Sequence, residues 1–298
     1  FVLNSVQLHN PEKGAFMNIR TDLALEGVDA EQIREGITRT TRGSAFSITE
    51  IRIQEDRHGA PIGKKKGRYI TLEAGALSRF SDRYEDMAQE LAKELRQFLP
   101  PGHVLVVGLG NSQITPDALG PQAANQVLAT RHLKTELGEE DPFLAGLRPV
   151  SVLAGGVLGQ TGIESAELVQ ALQGRLCPAA IIAVDALACS ELNRLGTTIQ
   201  ISDAGISPGS GVQNKRKELS AGTLGIPVLA VGVPTVVDMG TIVESLTGAP
   251  PKQEAPNMMV TPRDIDKLTQ RAAGLIACGI NLALHPQLSM EDVECLMA

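Results

Sequence analysis

The feature that most constrains the fold is a short apolar run followed at once by a tight turn and an acidic residue. The run, Val104–Val107, suits a strand buried on both faces, as in parallel sheets. The next residues, Gly108–Asn111, allow a sharp turn, and a Thr-Pro pair then opens a helix with Asp117 near its positive end. Open α/β sheets place their functional sites at the carboxyl ends of strands. The sequence therefore predicts that Asp117 lies at a functional edge of a sheet.

The same pattern recurs along the chain. Ala179–Ala188 is a second apolar run, with Asp185 predicted at its strand tip. Three more strands are predicted, at Pro149–Ala154, Thr197–Ser202 and Pro227–Gly232. Strands separated by helices indicate an α/β fold with a mostly parallel sheet flanked by helices. Hydrophobic residues make up 43% of the chain but aromatic residues only 3%, so the core has to be aliphatic.

A different pattern precedes the first core strand. Ser47–Glu55 alternates apolar and polar residues, and Arg68–Glu73 returns as a second strand after a turn-rich tip. This predicts an antiparallel hairpin at about residues 47–73, inserted on the flank of the main sheet. The basic run Lys64–Lys66 at its tip is interpreted as solvated, or as a substrate or subunit contact.

Charge and composition exclude several classes. A net charge of −7 argues against direct nucleic-acid binding. Apolar stretches are too short to span a bilayer, and the four cysteines form no C-x-x-C pair, which favours a reduced, cytoplasmic protein. The chain has no H-E-x-x-H motif and its five histidines are scattered. The sequence therefore predicts no cofactor and no bound metal.

Asp117 and Asp185 are the residues best placed for chemistry. Both are predicted at the carboxyl ends of neighbouring strands, where they could converge. Two carboxylates that share a site do not both ionise easily. The ionised one can take a proton from water while the protonated one polarises a peptide carbonyl, which suits peptide hydrolysis. The alternative for each is a helix cap or a salt-bridge partner.

Several segments together resemble the spore germination endopeptidase family (germination protease). Matching pieces occur from residue 20 to about residue 265. They are Arg20–Glu26, Lys66–Glu73, Val107–Asn111, Thr115–Pro121, Val184–Ala188, Ser202–Gly205, Pro208–Val212, Asn214–Ser220 and Gly232–Asp238.

The resemblance implies a function for the chain and a route by which it matures. The family is an atypical aspartic-type endopeptidase that starts the breakdown of small acid-soluble spore proteins at germination, in the cytoplasm of the developing spore and the spore core. It is made as a homotetrameric zymogen that cuts itself. Its fold is similar to that of hydrogenase maturation peptidases, which use a metal at the corresponding site. Asp117 and Asp185 match its two candidate catalytic aspartates, whereas Ser207 stands where most members have histidine.

The resemblance also implies a self-cleavage site. The family cuts within Glu-aromatic-Ala-Ser-Glu, before the alanine, and Thr21–Glu26 imitates that pattern. We therefore expect cleavage between Leu23 and Ala24. Residues 1–23 would then be a propeptide, and residues 24–298 a single peptidase domain. The alternative for this stretch is an ordinary edge strand.

Five residues near the predicted site are expected to contact substrate. Lys215 and Arg216 either hold acidic substrate side chains or structure their own loop. Ser210 is interpreted as a turn residue or substrate contact, because its surroundings lack the G-x-S-x-G frame of a nucleophile. Gly110 and Asn111 complete the set.

Two rival functions use the same residues. A metal-dependent maturation peptidase would employ Asp117 and Asp185 as ligands. A non-enzymatic small-molecule or nucleotide binder would use the Gly108–Asn111 turn. Gln113 occupies the place of the third glycine in the G-x-G-x-x-G pattern, which counts against the nucleotide binder.

Overall fold

The computed structural model describes residues 7–9, 16–18, 21–28, 35–136, 142–209, 217–249 and 258–297. Its strands are β1 (Gln7–His9), β2 (Phe16–Asn18), β3 (Ile37–Arg42), β4 (Ser47–Ile53), β5 (Gly67–Glu73), β6 (Val104–Gly108), β7 (Val150–Ala154), β8 (Ala180–Cys189), β9 (Thr198–Ser202), β10 (Val228–Asp238) and β11 (Met259–Val260). Its α-helices are α1 (Asp56–Gly59), α2 (Tyr84–Arg96), α3 (Leu119–Ala124), α4 (Arg131–Glu136), α5 (Pro142–Gly146), α6 (Leu158–Thr161), α7 (Ser165–Leu176), α8 (Ala221–Leu224), α9 (Met239–Thr247), α10 (Ile265–Leu284) and α11 (Met290–Met297). Single turns of 3-10 helix lie at Ala24–Gly27, Ala60–Ile62, Thr115–Asp117 and Leu192–Arg194.

The strands form a mixed sheet of nine strands and a separate pair, β1 with β2. The order in the large sheet is β3-β4-β5-β9-β10-β8-β6-β7, and the short β11 pairs with β10. β10, β8, β6 and β7 run parallel to one another. β3, β4, β5 and β9 alternate in direction. The predicted α/β fold is confirmed, with parallel strands in one half of the sheet. Its likeness to hydrogenase maturation peptidases stays a prediction.

The predicted hairpin is present as β4 and β5, which pair antiparallel from Ser47 opposite Glu73 to Ile53 opposite Gly67. β3 adds a third strand on the outer side of β4, and β5 pairs with β9 on the other side. The hairpin is therefore part of the main sheet rather than a unit beside it.

The expected direction of the strand at Thr197–Ser202 is wrong. β9 runs antiparallel to both of its neighbours, β5 and β10. The connection from β8 consists of residues 190–197 and contains only one turn of 3-10 helix. A parallel crossover takes about a dozen residues or more. The short connection therefore reverses the chain instead of carrying it back to the start of a parallel strand.

One face of the sheet is covered by α2, α3 and α10. Met87, Leu91 and Leu95 lie on the buried side of α2, as their spacing predicts. The 20-residue α10 is buried along most of its length. Together with the residues of β4 to β10 that face them, these helices form the largest apolar cluster. No helix in the described ranges combines the length and apolarity needed to cross a bilayer.

The opposite face is covered differently in its two halves. Over the parallel strands, α7 packs through Ala166 and Val169. Over β3, β4 and β5, residues 24–28 pack against Ile51 and Tyr69. A short segment from near the amino terminus thus completes the core of the antiparallel half.

The loop after β6 packs backbone against backbone. A Cβ atom on Gly120 would lie 2.2 Å from the carbonyl oxygen of Leu109 and 2.3 Å from that of Val184. A Cβ on Gly108 would lie 2.3 Å from the carbonyl oxygen of Gly120. These separations are far below van der Waals contact, so only glycine fits at either position. The close approach holds α3, and with it the loop that carries Asp117, against β6 and β8.

We expect Gly120→Ala to lower the free energy of unfolding by about 3 kcal/mol, because the added methyl group forces the backbones apart. Gly174→Ala is the control. Gly174 is exposed in α7, and a methyl group added there would meet no neighbouring atom within 4 Å, so alanine should stabilise the protein by up to about 1 kcal/mol. Urea unfolding of both variants measures the difference. Equal effects would contradict the packing account.

Candidate active site

A cavity of about 350 Å³ opens beside the carboxyl end of β6. Asp117 and Asp185 both line it, although they lie far apart in sequence. Other lining residues come from the second half of β8, from β10 and from the loop after β9, and Asp22 joins them from the amino-terminal part of the chain. The structure thus brings the two carboxylates singled out by the sequence to one cavity.

Asp117 is the last residue of the 3-10 turn before α3 and is half-buried. Its Oδ2 accepts a 2.7 Å hydrogen bond from the backbone amide of Asn111. Gly110 has a φ of +110° and approaches so closely that a Cβ there would lie 2.1 Å from the carbonyl oxygen of Asp117. The glycine turn is therefore folded around its own aspartate, which is a different use of glycine from a phosphate cradle.

Asp185 is the sixth of the ten residues of β8. The prediction that it lies at the tip of its strand is therefore wrong. β6 nevertheless ends opposite Val184, so Asp185 is the first residue of β8 beyond the end of that neighbour. Its side chain is buried, and Oδ1 accepts a 2.9 Å hydrogen bond from the backbone amide of Ala186. Each carboxylate thus has an oxygen held by a backbone N–H.

The structure places the other predicted substrate-contact residues in different surroundings. Gly110 lines the cavity. Asn111 is engaged with the protein itself, since its Oδ1 accepts hydrogen bonds from the Gln113 amide and from Gln160 Nε2. Ser207, where histidine was expected from the resemblance, also lines the cavity.

Ser210, Lys215 and Arg216 lie outside the described residues. The neighbouring Lys217 is described, and its Nζ lies 2.7 Å from Oε1 of Glu167 on α7. In the described part of the chain, no group of three or more His, Cys, Asp or Glu side chains is arranged to hold a metal ion.

The edge of β8 that β6 leaves open receives a stretch from the amino-terminal part of the chain. Asp22 N donates to the carbonyl oxygen of Ala188 at 2.9 Å. Ala188 N donates back to Asp22 Oδ2 at 2.8 Å. One of these bonds joins two backbone groups and the other ends on the Asp22 side chain, so Asp22 caps the open edge of β8 at Ala188 without extending the sheet. Residues 21–28 are called the docked segment below.

The side chain of Gln200 holds the docked segment on both sides of Leu23. Its Nε2 donates to the carbonyl oxygen of Asp22 at 2.8 Å, and its Oε1 accepts from the amide of Ala24 at 3.0 Å. Gln200 and Asp185 pair with the same residue of β10. They are therefore two strand spacings apart, about 10 Å.

Lys64 provides a second clamp. Its Nζ donates to the carbonyl oxygen of Asp22 at 2.8 Å and to that of Thr21 at 3.1 Å. Burial lowers the pKa of Lys64, while the nearby carboxylates of Asp22 and Glu26 act in the opposite direction. The lysine therefore contacts its own chain and is not simply a solvated tip residue.

Leu23 and Ala24 have no exposed surface. Leu23 packs in a small apolar cluster with Leu187, Cys189 and Val237. From Ala24 onward the chain enters a 3-10 turn. The alternative interpretation of this stretch as an edge strand is therefore wrong for Ala24–Gly27.

Comparison with known proteins now decides the family. A family model described as Germination protease matches residues 18–247. The chain belongs to the germination protease family. Curated germination proteases support this: that of Caldanaerobacter subterraneus subsp. tengcongensis is 41% identical over 94% of this chain and 98% of its own length. Those of Priestia megaterium and Bacillus subtilis are 36% and 35% identical, each over 92% of this chain and over 96% and 95% of their own lengths.

Membership of the germination protease family makes the chain a peptidase, and so a hydrolase that acts on protein. The groups missed by sequence reasoning are those that hold the docked segment, Lys64 and Gln200. The sequence gives a weak indication of the role of Lys64, because a substrate contact is one interpretation of its basic run. The sequence gives no indication that Gln200 contacts another segment, since a polar residue in an alternating strand is expected to face solvent.

We expect Lys64→Met to loosen the docked segment of this germination protease. Methionine keeps the bulk of the side chain but removes two hydrogen bonds from a charged donor, each worth about 1.5–3 kcal/mol. Hydrogen exchange of the Ala24 amide should accelerate at least about tenfold. Lys65→Met is the matched control, since Lys65 is exposed and pairs with Glu218 instead. Unchanged exchange in the Lys64 variant would show that the clamp is not what holds the segment.

Proposed function

We propose that the chain is an aspartic-type endopeptidase that hydrolyses small acid-soluble spore proteins during germination, using a water molecule held between Asp117 and Asp185. The observation that carries the proposal is that both carboxylates line one cavity at the end of β6. The substrate class rests on membership of the germination protease family.

The mechanism follows from the chemistry of two carboxyl groups that share one proton. The ionised carboxylate removes a proton from the water, which attacks the peptide carbonyl carbon. The protonated carboxyl group donates a hydrogen bond to the carbonyl oxygen, where negative charge develops. The amides of Asn111 and Ala186 bond one oxygen of each carboxyl group and so help to fix its orientation. The carboxyl group that took the proton from water then passes it to the nitrogen of the leaving amine, so that the pair again holds one proton.

We also propose that the chain cuts itself between Leu23 and Ala24, with residues 1–23 as a propeptide. Three contacts support this register. Asp22 lines the cavity and is paired with the open edge of β8, and Gln200 bonds both neighbours of Leu23. Because Leu23 and Ala24 have no exposed surface, water reaches their peptide bond only after the docked segment shifts. Self-cleavage should therefore be slow until that shift occurs.

The remaining features of the proposal rest on the family resemblance. They are assembly as a homotetramer and location in the cytoplasm of the developing spore and in the spore core.

We expect Asp117→Asn and Asp185→Asn each to lower the rate of protein cleavage by about 10²–10⁴-fold, because each removes a group that transfers a proton in the reaction. Both should also abolish self-cleavage while circular dichroism stays unchanged. Asp82→Asn is the control, since Asp82 is exposed and does not line the cavity. Cleavage is followed by gel electrophoresis with a small acid-soluble spore protein as substrate.

Near wild-type turnover in either aspartate variant would overturn the dyad. The same assay is run with a chelator. Loss of activity that one divalent ion restores would favour the metal-dependent alternative, with the same carboxylates as ligands.

A further inference from the structure

Gln200 and Asp185 project from the same face of the sheet. Gln200 of β9 stands opposite Gly232 of β10, and Gly232 stands opposite Asp185 of β8. Residues paired directly across neighbouring strands project to the same face of a sheet. Gly232 has no side chain of its own, and Leu187 packs over it, since a Cβ there would lie 2.6 Å from Leu187 Cγ. The two polar side chains therefore stand on either side of an apolar strip.

The docked segment passes over this strip. Leu23 packs in the apolar cluster that contains Leu187. The next amide, that of Ala24, donates to Gln200 Oε1 at 3.0 Å. Gln200 Nε2 donates to the carbonyl oxygen of Asp22 at 2.8 Å. The peptide bond between Leu23 and Ala24 therefore runs between Leu187 on β8 and Gln200 on β9.

Both hydrogen bonds of the Gln200 side chain go to main-chain atoms. Gln200 is only 7% exposed, and a buried amide without partners is costly. Any extended peptide offers a carbonyl oxygen and an N–H group at the same spacing, whatever its side chains are. A peptide that takes the place of the docked segment therefore meets an amide group that requires main-chain partners.

We propose that Gln200 is a substrate-binding residue of the peptidase, which holds the main chain on both sides of the residue before the cleaved bond. The inference rests on the proposed function, because it takes the bond between Leu23 and Ala24 as the register. Nε2 donates to the carbonyl oxygen of the second residue before the cleaved bond, and Oε1 accepts from the N–H of the cleaved bond itself. The contact determines which bond is presented without selecting side chains.

The contact with the N–H group also orients the leaving nitrogen. When water has added to the carbonyl carbon, this nitrogen becomes pyramidal, and its lone pair has to receive a proton. With its N–H held by Gln200, the lone pair points away from Gln200, toward the side on which Asp185 stands across Gly232. Gln200 transfers no proton itself. It fixes the orientation in which the carboxyl pair delivers one.

The test compares two synthetic peptides that copy residues 18–30. One has the natural amide at Ala24, and the other is an ester in which oxygen replaces the Ala24 nitrogen and so removes the N–H. The full-length wild-type and Gln200→Met chains cut both, and the measured quantity is the amide-to-ester ratio of kcat/KM. The docked segment competes equally with both peptides, and the intrinsic reactivity of the ester is the same for both chains, so neither affects the comparison.

The amide-to-ester ratio should be about 3- to 10-fold lower for Gln200→Met than for the wild type, because the methionine chain no longer distinguishes the N–H. Gln200→Glu should keep at least the wild-type ratio, since a carboxylate still accepts from the N–H. Gln89→Met is the matched control and should leave the ratio unchanged. Gln89 is exposed on α2, which covers the other face of the sheet.

An equal ratio in Gln200→Met and the wild type would overturn the inference, because a purely structural role would slow the cleavage of both peptides alike. If the wild type cuts neither peptide, the proposed function fails, and fluorescence anisotropy with the labelled peptides makes the same comparison. Tighter binding of the amide peptide by the wild type, lost in Gln200→Met, would then support the contact. Equal binding of the two peptides by the wild type would overturn it.

Discussion

The early end of β6 is the constraint on which the site depends. β6 stops opposite Val184 while β8 continues for five more residues to Cys189. The part of β8 that has no strand on its β6 side carries Asp185, bounds the cavity and offers backbone groups to Asp22. A strand edge without a neighbour is normally a liability that proteins cover or pair. Here the chain covers it with its own docked segment, at the place where both carboxylates converge.

Glycine is what makes β6 end there. Gly108 and Gly120 let α3 approach the backbone of β6 and β8 more closely than any side chain allows, and Gly110 folds the loop back over Asp117. The chain leaving β6 is thus directed into α3 instead of continuing beside β8. The same packing that ends the strand fixes the position of the Asp117 carboxylate.

The sequence allowed the local features of the fold to be predicted, because they depend on neighbouring residues. The strand at Val104–Val107, the turn after it and the β4–β5 hairpin follow from apolar runs, alternation and glycine. The direction of β9 did not follow, since the same apolar alternation fits a parallel or an antiparallel strand. What decided it was the length of the connection from β8.

The two acidic residues of the candidate site could be predicted from the sequence, whereas the side chains that hold the docked segment could not. Asp117 and Asp185 stand after or within recognisable buried strands, so position alone marked them. Gln200 and Ser190 meet the docked segment across 178 and 164 residues of sequence. Such partners are determined by the order of strands in the sheet, which local patterns do not encode.

The docked segment has a kinetic consequence for the proposed enzyme. Because this segment belongs to the same chain as the site, it competes with substrate as an intramolecular ligand, at an effective concentration that does not fall on dilution. Each substrate peptide therefore competes with the docked segment for the same groove. Dilute or poorly matching proteins would be excluded from the groove, whereas an abundant substrate would displace the docked segment by mass action. The enzyme would in this way respond to the quantity of its substrate as well as to its sequence.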